Sequence, residues 1–296
     1  MSLSELRILI TGGGRGIGRA IAQICQEEGA KVAICSRTKS ELEETASSFD
    51  SVVAPNTNTN HNDENDDNND NTNKRIKMYH HPMEIFVADI LKQNQVENMV
   101  TSLVEKWGDI DILINNAGKG QRCKGQVYTL DTDDLVDIFK VNVVGVHIVT
   151  STVLKKCMLK SPQSSDGIDK KSSHSIRRII NISSGAAKRG LPNIGFYVTS
   201  KFALEGYSAT LAEELKDENI IVNTISPGKV NTKNFPKEAD TVGLRSAESI
   251  KDGLLLLLKT DKTGHYLHVD ELDLVRLKGL DDSLALKPMN EPKFRL

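Results

Sequence analysis

The sequence predicts an α/β fold in which seven mostly parallel strands form one doubly wound sheet with helices on both faces. Two observations lead there. Short apolar, largely β-branched runs recur along the chain: RILIT (7–11), KVAICS (31–36), EIFVAD (84–89), DILIN (111–115), RIINIS (178–183), IIVNTIS (220–226) and HYLHVD (265–270). They are continuous rather than alternating, as expected of strands buried on both faces. The segments between them carry apolar residues at helical spacing, such as Val96, Met99, Val100, Leu103 and Val104, or Leu204, Tyr207, Leu211 and Leu215. Strand and helix in alternation require crossover connections, hence parallel pairing.

The first strand runs directly into TGGGRGIG (11–18) and an amphipathic helix. Glycines at such a turn let backbone approach a diphosphate, and the helix start beyond supplies unpaired N–H donors and a positive dipole end. Strand, glycine turn and helix together predict a dinucleotide site at Gly12, Arg15, Gly16, Ile17 and Gly18. The second strand ends in Ser36 and Arg37, where an NAD enzyme would carry a carboxylate for the ribose 2′-hydroxyl. Arg37, with Arg15, suits a 2′-phosphate instead, so NADP(H) is the expected cofactor and NAD(H) the alternative.

Two polar stretches interrupt the rhythm. The first, within an insert spanning 50–82, is NTNTNHNDENDDNNDNTN (56–73), half asparagine and expected to be disordered, because it has too little apolar surface to offset its ordering entropy. The second is a Ser-rich loop, 161–175. The reading is one domain, residues 1–270, followed by a tail, 271–296.

Later segments read NNAG (115–118), FKVNVVG (139–145), NISS (181–184), YVTSK (197–201) and SPGKVNT (226–232). In this order after TGxxxGxG they resemble the short-chain dehydrogenase/reductase superfamily, single-domain branch, over residues 6–232 and more weakly to 270. The resemblance implies a Rossmann-type fold and a catalytic set of Asn142, Ser184, Tyr197 and Lys201. Ser184 is preferred to Ser183 because its spacing to Tyr197 matches the family's. It further implies cofactor contacts from Asp89 and Ile90 at the adenine, from Asn116, Ala117 and Gly118 along the nucleotide, and from Pro227, Gly228, Val230 and Thr232 at the carboxamide. In the family picture Lys201 also reaches the ribose hydroxyls, and Asn142 holds a water that reloads the tyrosine.

Part of the chemistry is readable without the family. A free phenol has a pKa of about 10, too high to exchange a proton efficiently near neutrality. Lys201, one helical turn from Tyr197, is expected to favour the phenolate and lower that pKa. Ser184 would polarise a carbonyl oxygen as a second donor. The expected function is hydride transfer between a nicotinamide and a carbonyl or secondary alcohol. The alternatives are a non-catalytic NADP(H)-sensing protein, which commonly loses the Tyr or Lys kept here, and a sugar-nucleotide epimerase or dehydratase, which usually adds a substrate domain.

The chain carries 38 basic and 40 acidic residues, a net charge of -2, which gives no general pull toward nucleic acid or an anionic membrane. The longest apolar run, GLLLLLK (253–259), is too short to span a bilayer. Cys25, Cys35, Cys123 and Cys157 lack metal-ligand or disulfide spacing, so a reducing cytoplasmic setting is expected. His80, His81, His265 and His268 are read as ordinary surface or strand residues, with no metal. The expected partner is a small carbonyl or alcohol substrate, and a homodimer or homotetramer is the family's usual assembly. The short stretch 233–245 predicts an open pocket, with walls using Gly185, Leu191 and Phe196.

Overall fold

In the computed structural model, which describes residues 3–50, 81–159, 176–233 and 242–290, each expected run contributes a strand. The first half comprises β1 (Arg7–Thr11), α1 (Gly16–Glu27), β2 (Lys31–Ser36), α2 (Lys39–Asp50), β3 (Glu84–Val87), α3 (Gln93–Trp107) and β4 (Ile112–Asn115). There follow α4 (Thr132–Phe139), α5 (Val146–Val153), β5 (Arg177–Ile182), α6 (Gly195–Glu214) and β6 (Ile220–Ser226). A short ladder, β7 (Lys229–Val230) with β8 (Leu244–Arg245), precedes α7 (Lys251–Lys259), β9 (His265–His268), α8 (Val269–Leu277) and β10 (Leu286–Pro288).

The main sheet has the order β10-β9-β6-β5-β4-β1-β2-β3. It therefore has eight strands rather than the expected seven. Seven are parallel, and the extra one, β10, comes from the tail and pairs antiparallel with β9. Strand order reverses between β1 and β4, which opens a crevice at their carboxyl ends, where such sheets hold ligands.

Alternate side chains of each strand enter opposite cores. Ile8, Ile10, Val32, Ile34, Ile112 and Ile114 pack with α1 and α7, whereas Leu9, Ala33, Leu113 and Ile179 pack with α3 and α5. Each fully buried Ile or Leu contributes roughly 1.5–3 kcal/mol, so both layers are held strongly against the sheet. Helix α4 passes through a wider π turn (Lys140–Gly145) into α5. The continuous stretch Thr132–Met158 is, among the described residues, long and apolar enough to cross a membrane by length and composition. Here its apolar residues Val149, Val153 and Leu154 fill the core beside α3 and β4.

The run 265–270 ends as a strand at His268, because the His268 ring accepts from Asp270 N (3.2 Å) and caps α8. The tail packs on the domain as far as it is described: Leu272 and Ala285 are fully buried. The Asn-rich stretch 56–73 and the loop 161–175 lie outside the described residues, as do His80 and residues 234–241 of the stretch 233–245 read as a short lid.

Candidate active site

The glycine turn is fixed from three sides. Gly12 N donates to Cys35 O (2.7 Å), and Gly14 O accepts from Thr45 Oγ1 and Arg19 Nη2, both at 2.9 Å. Asn116 Nδ2 donates to Thr11 O and Gly12 O, each at 3.0 Å, so the NNAG segment braces the turn from β4. Its neighbour Asn115 bonds Thr150 Oγ1 and Asn181 Oδ1 at 2.9 Å, tying β4 to α5 and β5. Gly12 adopts φ 69° and Gly16 φ 54°, the left-handed region glycine tolerates best. A Cβ on Gly18 would stand 2.1 Å from Gly12 O, so turn and helix are in backbone contact there.

On the opposite wall, two residues beyond the end of β5, stands Ser184, whose Oγ accepts from Ala186 N (3.1 Å) and also hydrogen-bonds Tyr197. The first turn of α6 is held by Gln121, whose Oε1 accepts from Phe196 N (3.0 Å) and Tyr197 N (3.2 Å). Lys201 is buried one turn on; its Nζ donates to Ile182 O (2.8 Å) and lies 5.8 Å from the Tyr197 ring centroid. Burial pushes the Tyr197 phenol up to about 12, with the Ser184 hydrogen bond acting in the other direction. Burial also lowers Lys201 to about 8, opposed by the Glu205 charge. The expectation that Lys201 would lower the tyrosine's pKa is therefore not met. The ammonium is directed at the Ile182 carbonyl, and desolvation is the largest influence on the phenol.

The two walls enclose one cavity of about 980 Å³. Every residue expected to touch the cofactor lines it, from the glycine turn through Arg37, Asp89, Ile90 and Asn116–Gly118 to Pro227, Gly228, Val230 and Thr232, together with Ser184, Tyr197 and Lys201. Asn142 does not. Its Oδ1 accepts from Lys119 N (2.7 Å), and its Nδ2 donates to Lys119 O and Ser200 Oγ, both at 3.0 Å, so the side chain joins the loop after β4 to α6. The π turn directs it there. Gly185 and Leu191 are in the wall as expected; Phe196 is buried behind it.

The cavity also uses residues that sequence reasoning missed. Glu41 of α2 lines it and pairs with Arg15 (2.8 Å) and Lys233 (3.8 Å), so a carboxylate does enter the region beside Arg37. Its position on α2, outside the strand-end motif, gave no signal. Lys119, Gln121 and His268 are lining residues too. Among the other histidines, His265 bonds Thr263 O (2.7 Å) and His81 faces Glu5 (3.2 Å).

The sequence profile described as short chain dehydrogenase matches residues 7–63 and 52–242. The chain belongs to the short chain dehydrogenase family. Its relatives include an NADPH-dependent pterin aldehyde reductase of Arabidopsis thaliana, 28% identical over 226 residues that make up 76% of this chain and 75% of that one. A short chain dehydrogenase of Shigella flexneri, solved with NADP, superposes with a TM-score of 0.70 at 24% identity, over 91% of this chain and 99% of that one. A 3-ketoacyl-(acyl-carrier-protein) reductase of Brucella melitensis, solved with NADH, gives 0.71 at 24% identity, over 90% and 98%. For this short chain dehydrogenase the solved structures support the fold; one carries each nucleotide.

Proposed function

We propose that the protein is an NADP(H)-dependent reductase or dehydrogenase that interconverts a carbonyl and a secondary alcohol, with Tyr197 as the acid and base. The observation that carries the reading is the Ser184–Tyr197 hydroxyl pair in a cavity wall backed by buried Lys201. A substrate oxygen placed between the two hydroxyls would accept from both.

The glycine turn suits a dinucleotide: Gly12 and Gly16 take left-handed backbone angles, and the N-terminal N–H groups of α1 follow at once. When bound, the nicotinamide supplies or receives the hydride at the substrate carbon. As negative charge grows on the carbonyl oxygen in reduction, Ser184 holds it by hydrogen bond, and the Tyr197 O–H bond breaks as the proton passes to that oxygen. The phenolate left behind would regain its proton from solvent, with the Lys201 ammonium as the nearby compensating charge. Oxidation runs the same steps in reverse. A donor such as Ser184 is worth about 3 kcal/mol to a transition state of this kind. The four free cysteines are compatible with a reducing, cytoplasmic location.

NADP(H) is preferred because Arg37 lines the adenosine end, and because Glu41, which could serve a ribose 2′-hydroxyl, is paired with Arg15. Substituting Arg37→Asp should lower kcat/KM with NADPH relative to NADH by roughly tenfold to a hundredfold, the worth of one or two charge-assisted hydrogen bonds. Steady-state kinetics with both nucleotides checks this; an unchanged ratio removes Arg37 from the assignment. The reaction itself is tested by following the loss of reduced-nicotinamide absorbance against a panel of aldehydes and ketones. Failure of every carbonyl with both nucleotides would refute it.

A further inference from the structure

We infer that the substrate carries a second, anionic group, a carboxylate or phosphate, recognised by Arg122, Lys124 and Arg189 at the tyrosine end of the cavity. The inference rests on the proposed reaction only for where the carbonyl sits.

The cavity's charge is out of proportion to the chain's. The whole sequence is almost balanced at a net charge of -2, yet among the described residues nine cationic side chains and three carboxylates line this cavity. Each carboxylate is already engaged. Glu41 pairs with Arg15, Asp270 pairs with Arg245 (2.7 Å), and Asp89 Oδ1 caps Leu91 N (3.0 Å). Arg15, Arg37 and Lys233 cluster around the α2 side of the cavity, where a nucleotide's phosphates account for them. Those phosphates do not account for the cations at the other end.

That end is built from two loops, each fastened to the Ser184–Tyr197 pair. Gln121 accepts from Tyr197 N (3.2 Å) and donates to Asn193 O (3.1 Å), and Gly125 N also donates to Asn193 O (3.1 Å). Arg122 and Lys124 are therefore carried on a loop pinned to the start of α6. Arg189 follows the turn that Ser184 caps. The three side chains are exposed cavity-lining groups, and among the described residues none has a carboxylate within ion-pair distance. The acidic groups nearby are otherwise engaged: Asp137 takes Lys119, and Asp134 bonds Cys123. Two guanidinium forks and an ammonium lining one cavity suit a carboxylate or phosphate, which guanidinium binds in two-point fashion.

The test uses matched pairs that differ only in the charge of the far group: levulinate with ethyl levulinate, and dihydroxyacetone phosphate with dihydroxyacetone. Calorimetric affinities for the NADPH-loaded protein at low ionic strength should favour the anion of at least one pair by about tenfold or more, with the pair that discriminates identifying carboxylate or phosphate. The preference should shrink as salt rises toward physiological strength. In the double variant Arg122→Ala, Arg189→Ala the ratio should fall close to one, and in Arg122→Lys, Arg189→Lys it should stay intermediate. Equal or better binding of the neutral partners, no measurable binding of any of the four, or an unchanged ratio in the double alanine variant would each overturn the inference. NADPH consumption is read in parallel. Tighter anion binding without turnover would count against the proposed reaction while leaving the anion subsite standing.

Discussion

Tyr197→Phe should lower turnover of any carbonyl substrate by roughly a thousandfold, within the span attributed to a positioned acid or base, while nucleotide affinity stays within a few fold. The phenyl ring keeps the packing of the first turn of α6, whose backbone is held by Gln121 and not by the phenol. What disappears is the one proton poised against Ser184. Stopped-flow reduction and a fluorescence titration of NADPH separate the two effects. Activity above about a tenth of the parent's would place the acid elsewhere, since a single lost donor already costs roughly a hundredfold or more. The pH profile offers a second check. With the phenol pushed up to about 12 and Lys201 lowered to about 8, Tyr197 is protonated throughout the neutral range and Lys201 is charged only below about pH 8. The kcat/KM for reduction should therefore decline above about pH 8 through loss of the lysine's proton, and flat behaviour to pH 10 would contradict that order of titration.

Gly18→Ala should cost about 3 kcal/mol of stability, at the upper part of the range for overpacking a tight contact, and should remove most nucleotide binding. The added carbon would sit 2.1 Å from Gly12 O and 2.4 Å from Asn116 Nδ2, so the turn, the start of α1 and the brace from β4 must all shift. For a chain of this size that corresponds to a fall in Tm of about 5 °C. Gly206→Ala is the informative comparison. Gly206 lies within α6, and a Cβ there meets nothing within 4 Å, so the substitution should hold or raise Tm through helix propensity. Equal losses in the two variants would mean that close backbone approach is not what position 18 requires.

Much of this was legible because the dominant signals are local. Continuous apolar runs marked seven strands, and the glycine turn marked the crevice they open, since both follow from neighbouring residues. What escaped depends on tertiary placement. β10 is three residues long and ends in Pro288, with no apolar run to announce it. His268 reads as a strand residue until its ring is seen capping α8. Asn142 was expected at the chemistry, yet the π turn, which has no spacing signature here, aims its amide at Lys119 and Ser200. Glu41 was invisible because it reaches the cavity from a helix. The Tyr–Lys pair came from the family resemblance together with its spacing, but its electrostatics was misjudged, because spacing gives proximity and not the desolvation that governs both groups.

The three residue pairs that join β10 to β9 have a further meaning. A bare β9 would display a row of unmatched amides and carbonyls, a template onto which another chain could add. The tail occupies that row, and its outermost strand closes with a proline that has no N–H to offer an incoming partner. The molecule thus carries its own stopper against strand-by-strand polymerisation at this end of the sheet.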